Sequence, residues 1–156
     1  MVHRQLQSNR LTENRKRKIQ KQKLFIKLIM VVLWGLFLLL NTWTESIERL
    51  MYLHTFGFKW VSNPNFSSFF YFHDLYLIHP EFIKVKLGHF IGFAVMDFLL
   101  FNLLKRHKYA IGISITFAFL TEFLQLFFGR DGRLYDLVID SLGVLMVFII
   151  LKRLKV

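Results

Sequence analysis

From residue 24 to residue 43 the chain reads LFIKLIMVVLWGLFLLLNTW, an apolar run with a single charge, Lys27. Coiled as an α-helix, such a run rises about 30 Å, the thickness of a bilayer's hydrocarbon core. Three more runs of this kind follow at about 85–104, 109–128 and 134–151. Hydrophobic residues make up 54% of the 156 positions and 19 are phenylalanine, more than one small soluble core can absorb. The first run is preceded by a long basic arm and followed by Asn-Thr-Trp-Thr-Glu, which is not a small-residue cleavage pattern, so it is expected to stay as a span. The expected fold is all-α. It is a membrane bundle of four transmembrane helices (24–43, 85–104, 109–128, 134–151), with a basic arm over 1–23 and a membrane domain over 24–156.

Charge then orients the bundle. The formal net charge is +11, and the arm alone holds Arg4, Arg10, Arg15, Lys16, Arg17, Lys18, Lys21 and Lys23 against one acid, Glu13. A basic run of this kind suits an anionic lipid surface, where each Lys or Arg near the headgroups contributes about 1 kcal/mol. No folded basic module accompanies it, so nucleic acid is not an expected partner. With four spans, the arm, the connector Lys105-Arg106-His107-Lys108 and the tail Lys152-Arg153-Leu154-Lys155 fall on one side, which the positive-inside rule makes cytoplasmic. A multi-pass protein of the cell membrane with both termini inside is expected, and Lys27 can snorkel to the inner surface.

The loop 44–83 and the turn 129–133 would then lie outside. The loop carries Phe56, Phe58, Trp60, Phe66, Phe69, Phe70, Tyr71, Phe72 and Tyr76, rings suited to the headgroup level. It reads as an interfacial flap over the helix ends, or as a surface that receives a lipid from the bilayer edge. His54, His73 and His79 lack H-x-x-x-H or H-E-x-x-H spacing and the chain has no cysteine, so neither a metal nor a cofactor is expected. Asn65-Phe66-Ser67 matches the short glycosylation acceptor pattern.

Antiparallel spans bring the costly polar residues to one level. Lys86 and His89 open the second span from outside, Glu122 and Gln125 close the third, and Asp136 and Asp140 open the fourth. Each pair is spaced i,i+3 or i,i+4 and so shares a helix face. Arg130 sits in the turn between. Gly143 continues the Asp136 stripe, and Gly88 with Gly92 forms a small-x-x-x-small step beside His89, so the polar faces are expected to be packing faces. Deeper in, Asp97 is expected to bond Ser114 or Thr116, while Thr121 is read as an interhelical or back-bonding hydroxyl and Ser141 as a small packing residue.

The ordered set Lys86-Leu87-Gly88-His89-Phe90, Glu122-Phe123-Leu124-Gln125, Gly129-Arg130 and Asp136 through Gly143 resembles the VanZ-like family of bacterial membrane proteins. The resemblance covers roughly the last half of the chain. It implies a small multi-span envelope protein related to one associated with teicoplanin resistance, with Lys86, His89, Glu122, Gln125, Arg130, Asp136 and Asp140 as its characteristic polar positions. Many members carry Asn at the position of Asp140, and an acid often stands where Val85 does here.

Three roles fit these residues. The cluster and aromatic loop could bind an anionic lipid, a lipid-linked wall precursor or a glycopeptide, and so contribute to teicoplanin tolerance. His89 with Glu122, Asp136 or Asp140 could serve as an acid–base pair of a hydrolase or transferase acting on an envelope lipid, although no nucleophile motif or phosphate-binding loop accompanies them. An ion-paired knot that only fixes helix register needs no ligand at all.

Overall fold

The computed structural model describes residues 2–43, 60–73, 80–130 and 132–155. Among them are four long helices, a short 3-10 helix and no strand: α1 (Val2–Trp43), the 3-10 turn (Phe66–Phe70), α2 (Pro80–Leu104), α3 (His107–Phe127) and α4 (Leu134–Arg153). All four α-helices are long and apolar enough to cross a membrane.

α1 extends well beyond the expected first span. The basic arm is the N-terminal half of the same helix, which at about 1.5 Å per residue is roughly twice as long as a bilayer's hydrocarbon core is thick. Its local cause is plain in the sequence: no Gly or Pro interrupts the chain before Gly35, and the arm is rich in the good helix formers Lys, Arg and Gln. α2 also starts earlier than expected, at Pro80. Proline suits the first turn of a helix, where its missing N–H has no partner to lose.

α2, α3 and α4 form the packed core, with α2 against α4 the most extensive contact, and α1 leans on α2 and α3. Only 6% of the apolar window of α1 is buried inside the protein, against 39% in each of the other three, so α1 is the peripheral helix. Phe25 and Leu33 are 62% and 60% exposed, which in a span means facing lipid. α1 is nonetheless fastened at several points. Lys27 Nζ donates to the carbonyl and the side-chain oxygen of Asn102 at 3.1 and 3.0 Å, at the end of α2 next to the basic connector. Trp34 Nε1 donates to the Gly92 carbonyl at 2.9 Å.

Glycine permits the closest approaches. A Cβ on Gly143 would lie 2.2 Å from the Phe90 carbonyl oxygen, so α4 and α2 touch backbone to backbone there. Gly92 packs against Leu38 of α1. Gly88 does not take part in the expected step: nothing lies within 4 Å of where its Cβ would be. It is on the α2 face turned away from the contact.

Of the aromatic loop, residues 60–73 are described; His54, Phe56, Phe58, Tyr76 and His79 lie outside the described residues. The described part covers the end of α3. Trp60 stacks on Phe127, Phe66 stacks on Phe123, and Phe69 meets Phe119 edge-on. The Val61 N–H donates to the Phe127 carbonyl at 2.8 Å. Asn65 caps the 3-10 turn, its side-chain oxygen accepting from the Ser67 N–H at 3.1 Å, which gives the Asn-Phe-Ser triplet a local structural role.

Candidate functional site

The three core helices bring six of the seven expected polar positions to one end of the bundle. Asp136 lies in the first turn of α4, where a carboxylate is favoured by the helix dipole. Lys86 reaches it from α2, with Nζ 2.7 Å from Oδ1 and 2.8 Å from Oδ2. The ammonium is also 4.8 Å from the ring centres of both Phe82 and Tyr135, which line it with aromatic faces. One face of the cluster is therefore a compensated ion pair.

One turn deeper along α2, His89 faces two acids. Its Nδ1 lies 3.3 Å from Asp140 Oδ1 and 3.5 Å from Glu122 Oε1. Both carboxylate side chains are fully buried, whereas the imidazole keeps 21% of its surface accessible. Glu122 is held from behind: Gln125 Nε2 donates to Oε1 at 3.2 Å and the Arg133 backbone N–H donates to Oε2 at 3.2 Å. The i,i+3 spacing of Glu122 and Gln125 thus works within one helix, orienting the carboxylate toward α2 and α4. Asp140 has no such support. Neither of its oxygens has a hydrogen-bond donor among the described residues, and Oδ1 faces His89 without the alignment of a hydrogen bond. Buried acceptors of this kind are rare in folded proteins.

Arg130 is the position that the structure places elsewhere. Its guanidinium donates to the Asn41 carbonyl at the end of α1, tying the peripheral helix to the α3–α4 turn. Arg133, which the spacing of polar residues did not single out, is closer to the cluster. It is only 6% exposed, stands at the N-cap of α4, bonds Glu122 through its backbone, and donates from its side chain to the Ser68 carbonyl at 2.7 Å. Its guanidinium also lies 5.5 Å from the ring of Tyr71. The signal for it was the second glycine of Gly-Arg-Asp-Gly-Arg. A Cβ on Gly132 would lie 2.0 Å from the Glu122 carbonyl oxygen, so the turn is drawn against α3 and Arg133 is carried in with it.

The polar residues outside the cluster make local contacts, although Oδ2 of the buried Asp97 has no hydrogen-bond partner among the described residues. Ser114 Oγ donates to Asp97 Oδ1 at 3.3 Å across α2 and α3. Thr121 back-bonds to the Ala118 carbonyl at 2.8 Å and Ser141 to the Leu137 carbonyl at 2.7 Å, so Ser141 does not point into the cluster as a nucleophile would. His107 stacks on Phe101 at the opposite end of the bundle.

A model of the VanZ/LLP1 family matches residues 24–155. The chain is 34% identical over 125 residues to a protein of Bacillus subtilis (strain 168) described as uncharacterized membrane protein YwnJ; the match covers 78% of this chain and 89% of that relative. No solved structure matches the chain.

Proposed function

The chain belongs to the VanZ/LLP1 family of membrane proteins, and from that premise we propose that its polar cluster binds the anionic head of an envelope lipid or lipid-linked wall component. Its orientation in this reading has both termini in the cytoplasm and the cluster and aromatic loop outside. The observation that carries the reading is the junction at Tyr135. Its ring lies 6.1 Å from Phe72 of the loop and 4.8 Å from the Lys86 ammonium, so an aromatic surface leads directly to the polar cluster. Trp60 and Phe70 are 64% and 65% exposed on that surface, available to an acyl or polyprenyl chain, while Lys86 and Arg133 supply cationic groups for a headgroup. A glycopeptide with a lipid tail combines the same two chemistries, and this is how such a protein would contribute to teicoplanin tolerance.

Acid–base chemistry on the same lipid class is the second reading, favoured by the position of His89 Nδ1 between two carboxylates. The two differ in outcome. A binder in lipid nanodiscs shows saturable binding of a polyprenyl-diphosphate precursor or of teicoplanin that Arg133→Ala weakens, with the lipid recovered intact. An enzyme converts the lipid, and folded His89→Ala does not. In a strain lacking the gene, restored teicoplanin tolerance with the wild-type copy, measured beside the envelope lipids that accumulate, tests the physiological role. Absence of saturable binding to any of these ligands removes the binding reading.

Orientation has its own test. The chain has no cysteine, so Ser62→Cys and Lys108→Cys report without background, and both positions are exposed. An impermeant maleimide applied to intact cells should label Ser62→Cys alone. Labelling of Lys108→Cys instead inverts the orientation.

A further inference from the structure

The Lys86–Asp136 pair closes on itself, but the group beside it does not. His89, Glu122 and Asp140 each offer a donor atom, one from each core helix, and these atoms all lie within 4.8 Å of one another. Two buried carboxylates at such a distance repel each other unless something positive lies between them. The nearest ammonium, Lys86, is already engaged by Asp136.

We propose that His89, Glu122 and Asp140 form a binding site for a divalent transition-metal ion of the zinc–manganese class. The distances support it. For ligand bonds of about 2.0–2.1 Å, the edges of a tetrahedron are about 3.3–3.4 Å; two of the three edges come close to this, with His89 Nδ1 3.3 Å from Asp140 Oδ1 and 3.5 Å from Glu122 Oε1, and the third lies within 4.8 Å. A second observation is independent of the clustering. Asp140 is fully buried, and neither of its oxygens meets a hydrogen-bond donor among the described residues, although one of them points at the other two ligands. A cation there would satisfy an acceptor that the protein otherwise leaves unsatisfied.

The surroundings have the form of a metal site's outer layer. Gln125 donates to the Glu122 oxygen that faces His89 and the Arg133 N–H to the other oxygen, so the carboxylate is held in place at both ends. One imidazole nitrogen and two carboxylate oxygens, with no thiolate, select zinc or manganese over soft ions, and the imidazole disfavours magnesium and calcium. Three protein ligands leave at least one coordination position for water or an anionic oxygen. It would open on the side where His89 is 21% accessible.

Antiparallel order and helical spacing place these residues at one level, but which three donor atoms meet is set by the packing of three helices. The expectation of no metal rested on the spacing of the loop histidines and the absence of cysteine, neither of which bears on ligands drawn from three helices. The inference does not depend on the lipid reading, and its test contains no lipid ligand and no antibiotic.

Untagged full-length protein in nanodiscs is stripped with EDTA, then titrated separately with ZnCl2, MnCl2 and MgCl2, with bound metal measured by elemental analysis and thermal unfolding followed in parallel. The expected result is one Zn2+ or Mn2+ per chain, an unfolding temperature that falls on stripping and returns on reloading, and no response to Mg2+. Asp140→Asn and His89→Gln should each weaken binding by at least about tenfold, and Asp97→Asn, an equally buried acid outside the site, should leave it unchanged. If the first two fail to fold, Gln125→Ala reports instead, with a loss of about 10- to 100-fold expected for an outer-layer ligand. Less than about 0.1 metal per folded chain after loading, or binding that Asp140→Asn, His89→Gln and Gln125→Ala all leave intact, overturns the proposal.

Discussion

Asp97 and Asp140 are both carboxylates on long apolar helices, and both are out of solvent, at 1% and 0% exposure. Asp97 meets one hydroxyl, from Ser114 on the facing helix, and is otherwise surrounded by the apolar packing of α2 and α3. Asp140 meets an imidazole and lies in a group with Glu122, next to a separate Lys86–Asp136 pair. A lone acid with a hydroxyl partner is an interhelical link. Several acids converging from three helices, with acceptors left over, make a site. Burial alone, or a single acceptor left over as at Asp97 Oδ2, therefore does not mark function in a membrane bundle; convergence of several acids from different helices does.

The sharpest way to break this comparison is to remove the cation that is paired with Asp136. Lys86→Ala leaves Asp136 buried beside the other acids, and loss of one partner of a buried pair costs about 3–5 kcal/mol. Lys86 keeps 17% of its side-chain surface, so the lower end, about 3 kcal/mol, is expected. Equilibrium unfolding in mixed micelles measures it. The double variant Lys86→Ala/Asp136→Ala should recover more than half of the loss, because the uncompensated charge goes with its partner. Equal destabilisation in single and double variants would mean that Lys86 matters through its packing on Phe82 and Tyr135.

The next test separates two glycine environments, one inside the α2–α4 contact and one turned away from it. Gly143→Ala puts a Cβ against the Phe90 carbonyl and should cost about 1–3 kcal/mol as α4 is pushed from α2. Gly88→Ala meets nothing and should stabilise by up to about 1 kcal/mol through helix propensity. Because His89 and Asp140 sit across this same contact, Gly143→Ala should also widen the gap between their side chains. If unfolding experiments give the two variants the same sign, the close approach of α4 to α2 is wrong.

These contrasts also show what was legible beforehand. The four spans stand out because each is a continuous apolar run bounded by charge, a signal that no local contact can mask. The convergence of Lys86, His89, Glu122, Gln125, Asp136 and Asp140 followed from antiparallel order plus helical spacing. Atomic pairing did not follow, because two cations and three acids at one level allow many pairings and only packing selects among them. Arg130 and Arg133 illustrate this: three residues apart in one short turn, they part company because Gly132 presses the chain onto α3. The helical continuation of the basic arm was readable from its lack of breakers, but a charged run is judged first by its solvation, and that says nothing about its backbone.

The smallest effect is expected at the lone acid. Ser114→Ala deletes the hydroxyl that donates to Asp97, and interhelical hydrogen bonds inside membranes contribute on average about 0.6 kcal/mol, because the chain unfolded within the bilayer finds other partners. Ser114 has no exposed surface, so the substitution also leaves a void smaller than a water molecule, too small to add more than a few tenths of a kcal/mol. A loss near 0.6 kcal/mol, with no change in bound metal, keeps Asp97 as a link between two helices. A loss several times larger would place Asp97 with the cluster as part of one connected polar path through α2, and the distinction between the two acids would fail.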